Sequence, residues 1–218
     1  LLLTIVSLLA MQPDLGQSVL LVGVWISVIF ISGFNIYLLF IMLSFISIGL
    51  SSLIIFLPDK FEYITSRVTS FFDPSKSGNF QASKATEAIR EGSLKGQGVG
   101  EGILKERVPE AHTDYVIAVI SEEFGSIVSI LIISIFLFIS FRVIKRIINL
   151  NNSFYKLALC GLISLLVFQT FIHVGVNANL LPTTGMTLPF LSYGGSSLLS
   201  SGIIAGIILN YTSLNLKE

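Results

Sequence analysis

The sequence predicts an all-α, polytopic transmembrane bundle with one large extracytoplasmic loop. Three observations lead there. The chain is 53% hydrophobic and only 12% charged, about half the charged share of an ordinary soluble domain, and its mean hydropathy is +0.86. Two stretches without any charge, 15–58 and 157–216, are each long enough for two crossings at roughly 20 residues per span. The charges are gathered instead of scattered: residues 58–114 hold eight Lys/Arg and nine Asp/Glu. A net charge of zero leaves no basic face for nucleic acid. Cys160 is the single cysteine, so no internal disulfide and no cysteine metal knuckle can form.

The elements follow in order. The chain opens at Leu1 within an apolar segment, with no basic stretch ahead of it and no small-residue cleavage site directly after. It is therefore read as the end of an earlier, truncated span and not as a signal peptide. Pro13-Asp14-Leu15-Gly16 closes that span with a turn. Spans are expected at about 17–33 and 36–57, divided by the turn residues Gly33-Phe34-Asn35. Phe61, Ile64, Val68, Phe71 and Phe72 then recur at helical spacing against Asp59, Glu62, Ser66 and Arg67, which predicts a helix lying in the membrane interface. Asp73-Pro74 is its expected stop. A second short helix is expected over about 80–91, with Gly92 as its C-cap. A glycine-rich loop, Gly92 to Gly102, follows.

From Tyr115 to Phe141 the chain is apolar apart from Glu122 and Glu123, and one span is expected there. Arg142, Lys145, Arg146 and Lys156 come next with no acid among them, which marks the cytoplasmic side. The loop 58–114 then lies outside. A span over about 157–176, a second external loop over 177–195 and a last span over about 196–212 return the C-terminus to the cytoplasm. The whole chain, 1–218, reads as a single transmembrane domain of about six spans, the first of them incomplete.

Asp114 is the foremost candidate for chemistry. A carboxylate at the membrane surface can take a proton from a hydroxyl as a general base, and partial desolvation would lift its pKa toward the working range. The competing reading is a helix N-cap, where backbone N–H groups stabilise the anion. The two roles pull the pKa in opposite directions. Glu110, His112 and Thr113 are its neighbours in sequence. His112 can orient or pair with a substrate, or can simply be solvated, and one histidine without a second ligand makes no zinc site.

Glu122 and Glu123 are expected inside a span, where charge is costly and either functional or structurally paired. Gly96-Gln97-Gly98-Val99-Gly100-Glu101-Gly102 lacks the Gly-Lys-Ser/Thr ending of a phosphate loop. It reads instead as backbone free to approach a ligand or the bilayer closely. Lys105, just beyond, could neutralise a phosphate or be solvated. Asn177 to Ser197 forces irregular backbone that must be buried in protein or line a polar cavity. Within it Ser192, Tyr193, Ser196 and Ser197 supply hydroxyls. His173 reads as a packed side chain.

The run Leu181 to Ser197, LPTTGMTLPFLSYGGSS, resembles the C-terminal signature of the FtsW/RodA/SpoVE (SEDS) family. Pro109 to Tyr115, Ser121-Glu122-Glu123-Phe124-Gly125, Gln12 to Gly16 and Arg67 to Pro74 are similar to the same family, and the resemblance covers the whole chain. Pro109-Glu110-Ala111-His112-Thr113-Asp114 is closest to the cell-division branch, since the elongation branch tends to carry Arg before the His. The resemblance implies a ten-span fold of which this chain holds the last six, in the bacterial cytoplasmic membrane. It implies a peptidoglycan glycosyltransferase that polymerises lipid II outside the membrane in division and cell-wall biogenesis. The implied partners are a class B penicillin-binding transpeptidase, other division membrane proteins and membrane lipid.

The family's essential aspartate corresponds to Asp114, implied to deprotonate a sugar 4-hydroxyl. Arg67 and Lys105 are candidates for the undecaprenyl diphosphate, and Gln81, Glu110, His112, Thr113, Ser192, Tyr193 and Ser196 for further substrate contacts. Where many relatives carry a second glutamine three residues after the position of Gln81, this chain has Lys84. No cofactor is called for, and the residues give no indication of a divalent cation. The fragment by itself is expected to be inactive. The alternatives are a lipid II flippase, which would need intramembrane polar groups such as Glu122 and Glu123, and a division scaffold, which would need neither these nor Asp114.

Overall fold

The computed structural model describes residues 2–12, 14–56, 58–72, 80–108 and 110–213. Eleven helices make up the described elements. The apolar runs set the first three: α1 (Leu2–Met11), α2 (Leu15–Ile31) and α3 (Ile36–Phe56). Asp14 caps α2, its Oδ1 accepting from the Gln17 N–H at 3.0 Å. Gly33 takes φ +82° in the turn to α3, a conformation glycine adopts without strain.

The polar block folds into four short helices: α4 (Pro58–Phe72), α5 (Phe80–Gly92), α6 (Leu104–Arg107) and α7 (Ala111–Asp114). The expected stop of α4 at Asp73-Pro74 lies outside the described residues. One side of α5 is alanine, and Ala82, Ala85 and Ala88 are buried at helical spacing, so that helix approaches its neighbours closely.

The single span expected from Tyr115 to Phe141 is instead two helices, α8 (Val116–Phe124) and α9 (Ser126–Ile148). Gly125, at φ 89° and ψ 164°, separates them. Glu122 and Glu123 therefore belong to α8, which packs on α5, and not to the long apolar helix. α10 (Ser153–Asn177) and α11 (Gly195–Ser213) complete the chain. The return of the C-terminus falls on 214–218, outside the described residues.

α9 and α10 are long and apolar enough to cross a membrane. α9 turns Ile127, Ile130, Leu131, Leu137 and Phe138 outward. An apolar exterior of this kind suits lipid better than water. Two cores hold the bundle. One joins α2, α5, α8 and α10 through Leu20, Ala85, Ala88, Tyr115, Ala118, Ile172 and Val176. The other joins the far ends of α9, α10 and α11 through Val143, Ile147, Leu159, Ile163 and Ile208.

Candidate active site

The glycine loop 92–102 has a specific target: the carboxyl end of α8. The last carbonyls of a helix lack intrahelical partners. Here the Gln97 N–H donates to the Glu122 carbonyl at 2.8 Å and the Gly98 N–H to that of Glu123 at 3.1 Å. The Ser126 N–H donates to Ser93 O at 2.9 Å and ties the start of α9 to the same loop. The approach is so close that a Cβ on Gly92 would lie 1.9 Å from Ser121 O, and one on Gly96 2.2 Å from Glu123 O. The loop thus approaches another helix closely, where the sequence pointed to a ligand or the bilayer.

Glu122 is 1% exposed. Its carboxylate accepts the Ile103 N–H at 2.9 Å and the Leu104 N–H at 3.1 Å, the opening amides of α6. Gly102 leaves room for it, since a Cβ there would sit 2.7 Å from Glu122 Oε2. Lys105 Nζ pairs with Glu123 Oε1 at 3.1 Å and donates to Gly100 O at 2.9 Å. Lys105, a candidate for the diphosphate, is thus engaged in an internal ion pair.

The loop after α10 turns back along the helix that leads into it. Leu180 and Leu181 N–H both donate to Gly175 O. Further down α10, His173 Nδ1 lies 2.7 Å from Met186 O, and Gln169 Nε2 donates to Thr187 O at 2.9 Å. Met186 fills the space left by Gly16 at the start of α2, where a Cβ would lie 2.8 Å from its Cγ. This extended segment carries residues 183–193 to α7. The Ser192 hydroxyl donates to Thr113 O at 2.6 Å, and the Tyr193 N–H donates to His112 O at 3.0 Å. The two dense stretches of the sequence thus meet.

Asp114 is the last residue of α7, and the N-cap of α8 is Tyr115. Among the described residues its carboxylate accepts no hydrogen bond, so it is not a cap. Oδ2 faces Gly185, whose φ is +67° and whose hypothetical Cβ would lie 3.5 Å away, an ordinary contact. Arg67 reaches the same place from α4. Its Nη1 donates to Thr183 O while its guanidinium lies 4.6 Å over the Tyr63 ring. Burial raises the Asp114 pKa above the ordinary carboxylate value, the charge of Glu110 raises it further, and Arg67 partly opposes both. Glu110 holds its backbone at φ 61° just ahead of α7. Next to Asp114, the buried Tyr115 phenol is pushed up to about 12 and stays neutral.

A cavity of about 680 Å³ opens between α8 and the start of α11. Val116, Val119, Phe190, Leu191 and Leu198 form its apolar wall, and His112, Ser192 and Tyr193 its polar edge. Asp114 does not line it; its carboxylate faces the Thr183–Gly185 side. Tyr193 is 82% exposed. Ser196 is exposed at the start of α11, its carbonyl accepting from Ser200. Gln81 is half-buried on α5, and nearby Lys84 pairs with Glu87 on the same helix.

One residue central to this geometry carried no chemical signal in the sequence. Asn177 is fully buried at the end of α10. Its Oδ1 accepts the Ala118 N–H at 3.1 Å, and its Nδ2 donates to Asp114 O at 3.0 Å and His173 O at 2.8 Å. A lone Asn at the end of an apolar run reads as a turn former, and only its long-range partners distinguish it.

The model of the FtsW/RodA/SpoVE family, described as cell cycle protein, matches residues 1–215. The chain is 39% identical over 204 residues to a protein of Caulobacter vibrioides named probable peptidoglycan glycosyltransferase FtsW, covering 94% of this chain and 51% of that one. It is 40% identical to the Haemophilus ducreyi protein of the same name, covering 93% and 52%. Stage V sporulation protein E of Bacillus subtilis is 37% identical, with 91% and 54% covered. The chain thus spans about half the length of the curated relatives it matches. Among solved structures it superposes on a chain from a study of how a peptidoglycan synthase complex coordinates polymerization and crosslinking, with TM-score 0.72 and 25% identity, over 97% of this chain and 59% of that one.

Proposed function

The chain belongs to the FtsW/RodA/SpoVE family, and from that premise we propose that it is the C-terminal part of a peptidoglycan glycosyltransferase acting on lipid II in cell division. The observation that carries the proposal is the state of Asp114. Its carboxylate is half-buried, is released from capping, has its pKa raised, and lies beside an arginine. A general base needs an acceptor held ready and a pKa near the working pH.

In the proposed step Asp114 takes the proton from the 4-hydroxyl of the acceptor sugar. The freed oxygen bonds to the anomeric carbon of the donor, and the bond from that carbon to the undecaprenyl diphosphate breaks with its electron pair. Arg67 is the candidate to stabilise the departing diphosphate. The cavity beside His112, apolar on one wall and polar at one edge, is assigned to the lipid carrier, and the reacting sugar to the Thr183–Gly185 side that the Asp114 carboxylate faces. Ser192 and Tyr193 line that cavity, and Glu110, Thr113 and Ser196 remain candidates for further substrate contacts.

The proposed topology has six spans, α1 to α3 and α9 to α11, with 58–114 and 177–195 outside and the Arg142–Lys156 cluster in the cytoplasm. A class B transpeptidase and other division membrane proteins are the proposed partners. The flippase reading is less well supported. It would employ Glu122 and Glu123 as polar groups along a path, yet Glu122 holds two backbone amides and Glu123 holds Lys105.

The test uses the full-length parent protein with its transpeptidase and labelled lipid II. Asp114→Asn is expected to abolish polymer formation while the protein still folds, and Glu122→Gln is expected to polymerise. A folded Asp114→Asn variant that polymerises as the wild type does would remove the proposed base.

A further inference from the structure

Away from the Asp114 site the chain has a second concave feature, and its charge is unmatched. α9 and α11 both pack on α10, through Val143 and Ile147 on one side and Ile208 on the other. Between them runs a groove of about 660 Å³. One half of it is apolar. Phe138, Ile139 and Leu209 line it, with Phe138 63% and Leu209 69% exposed. The other half is basic, lined by Arg142, Lys145 and Arg146. Helical spacing puts Ile139, Arg142, Arg146 and Asn149 on one stripe of α9. Ile139 and Arg146 are roughly 10 Å apart along the axis at 1.5 Å per residue.

The independent observation is at Arg146. Its Nε and Nη2 are buried and have no hydrogen-bond partner among the described residues. Buried guanidinium N–H groups without an acceptor are unfavourable. Residues 124–217 contain no Asp or Glu, so α9, α10 and α11 have no carboxylate to supply one. The hydroxyls across the groove, Thr212 and Ser213, donate to Ile208 O and Asn210 O, and neither accepts from Arg146 Nε or Nη2. No acceptor among the described residues meets these N–H groups, and an anion would satisfy them together with the neighbouring Arg142 and Lys145.

We propose that this groove binds an anionic phospholipid, with the headgroup phosphate held by Arg146 and Arg142 and an acyl chain along Phe138, Ile139 and Leu209. The planar arginine fork matches two phosphate oxygens at once. Basic pockets between membrane helices take anionic headgroups in this way. A soluble anion would satisfy Arg146 but leave the apolar half of the groove bare. A zwitterionic lipid would fill the apolar half but bring its own cation to a site that already has three. The assignment is independent of the role of Asp114.

The experiment follows thermal unfolding of the full-length protein in mild detergent as lipid is added. Phosphatidylglycerol and phosphatidylcholine with the same acyl chains form two arms, and inorganic phosphate forms the third. Phosphatidylglycerol is expected to raise Tm at concentrations about tenfold below those of phosphatidylcholine, the cost of bringing the choline cation to a site with three positive charges, while inorganic phosphate leaves Tm in place. Arg142→Gln with Arg146→Gln is expected to bring the two lipids together. Arg142→Gln alone, at an exposed position, is expected to give an intermediate loss and decides the matter if the double variant does not fold. Equal responses of the wild type to both lipids overturn the proposal, as does an unaltered phosphatidylglycerol response in Arg142→Gln. A phosphate response as large as the lipid response also overturns it, and assigns the groove to a soluble anion.

Discussion

Replacing Asn177 with alanine should unlatch the Asp114 segment from α10, and the loss can be counted bond by bond. The side chain makes three hydrogen bonds at 2.8–3.1 Å from a fully buried position. Two of its partners have another bond. Ala118 N–H also reaches Tyr115 O at 3.0 Å, and His173 O lies within α10, where the helical ladder supplies a donor. Each of these losses costs about 0.5–1.5 kcal/mol. The Asp114 carbonyl is different. It sits at the end of the one-turn helix α7, and Asn177 is its donor, so truncation leaves a partly buried acceptor unpaired at about 1–3 kcal/mol. The sum is about 2–6 kcal/mol. A chain of this size shifts by roughly 2–4 °C per kcal/mol, so a Tm drop of about 4 °C or more is expected in detergent. Hydrogen exchange should localise the change, with faster exchange at the amides of 115–119 and little change in α9. Asn177→Asp keeps the Ala118 bond but sets a carboxylate against two carbonyls, and it should be no better than alanine. A Tm within 1 °C of wild type for Asn177→Ala, with unaltered exchange at 115–119, would refute the latch.

Other expectations follow from the same geometry. If Asp114 is the base, polymerisation should rise with pH as its carboxyl ionises, with the limb above the ordinary carboxylate range because burial raises the folded pKa. Glu110→Gln removes a charge that raises this pKa and should move the limb of kcat/KM to lower pH. Arg67→Gln removes one that lowers it and should move the limb to higher pH. The same raised pKa means that ionising Asp114 opposes folding: the stability advantage of the protonated form is present at low pH and is lost as pH rises through the folded pKa. Asp114→Asn should therefore unfold at or above the wild-type Tm at neutral pH, even though it is inactive. Gly92→Ala places a Cβ against Ser121 O and should cost about 1–3 kcal/mol or prevent folding, read from Tm and expression. Glu122→Ala strips the acceptor from two amides and should cost about 2–4 kcal/mol, whereas Glu122→Gln retains an acceptor and should cost less, compared by Tm.

What the sequence made legible divides along physical range. α2, α3, α10 and α11 begin and end within a few residues of the charge-free runs and turn residues that marked them. α4 and α5 follow their apolar spacing. The split at Gly125 was hidden, because apolar residues continue across it and a lone glycine is often tolerated within a helix. What breaks the helix is distant in sequence. The loop 93–98 pairs with α8 carbonyls some 25 residues away, and no local pattern encodes that pairing. The partners of Glu122 and Lys105 were hidden for the same reason: the amides of Ile103 and Leu104 and the carboxylate of Glu123 lie 18 or 19 residues away in sequence. His112, Thr113, Ser192 and Tyr193 were singled out separately, and the structure joins them through backbone carbonyls that side-chain identity could not announce.

That Asp114 is left uncapped traces to a residue on another helix. An N-cap side chain ordinarily accepts from the second or third amide of the helix it begins. With Tyr115 at the N-cap of α8, the third amide is that of Ala118. Its side-chain acceptor is Asn177 Oδ1, delivered from the end of α10. The neutral amide performs the cap, so the adjoining carboxylate is not drawn into it. Held by backbone amides, that carboxylate would be a poor base, since they would favour its anion and depress its pKa. Released from them, and set among Gly185, Glu110 and Arg67, it has its pKa raised instead. The same Asn177 also donates to the Asp114 carbonyl, so the residue that frees the side chain fixes the backbone that carries it. Tight positioning and an unengaged carboxylate, which pull against each other within one residue, are divided between two.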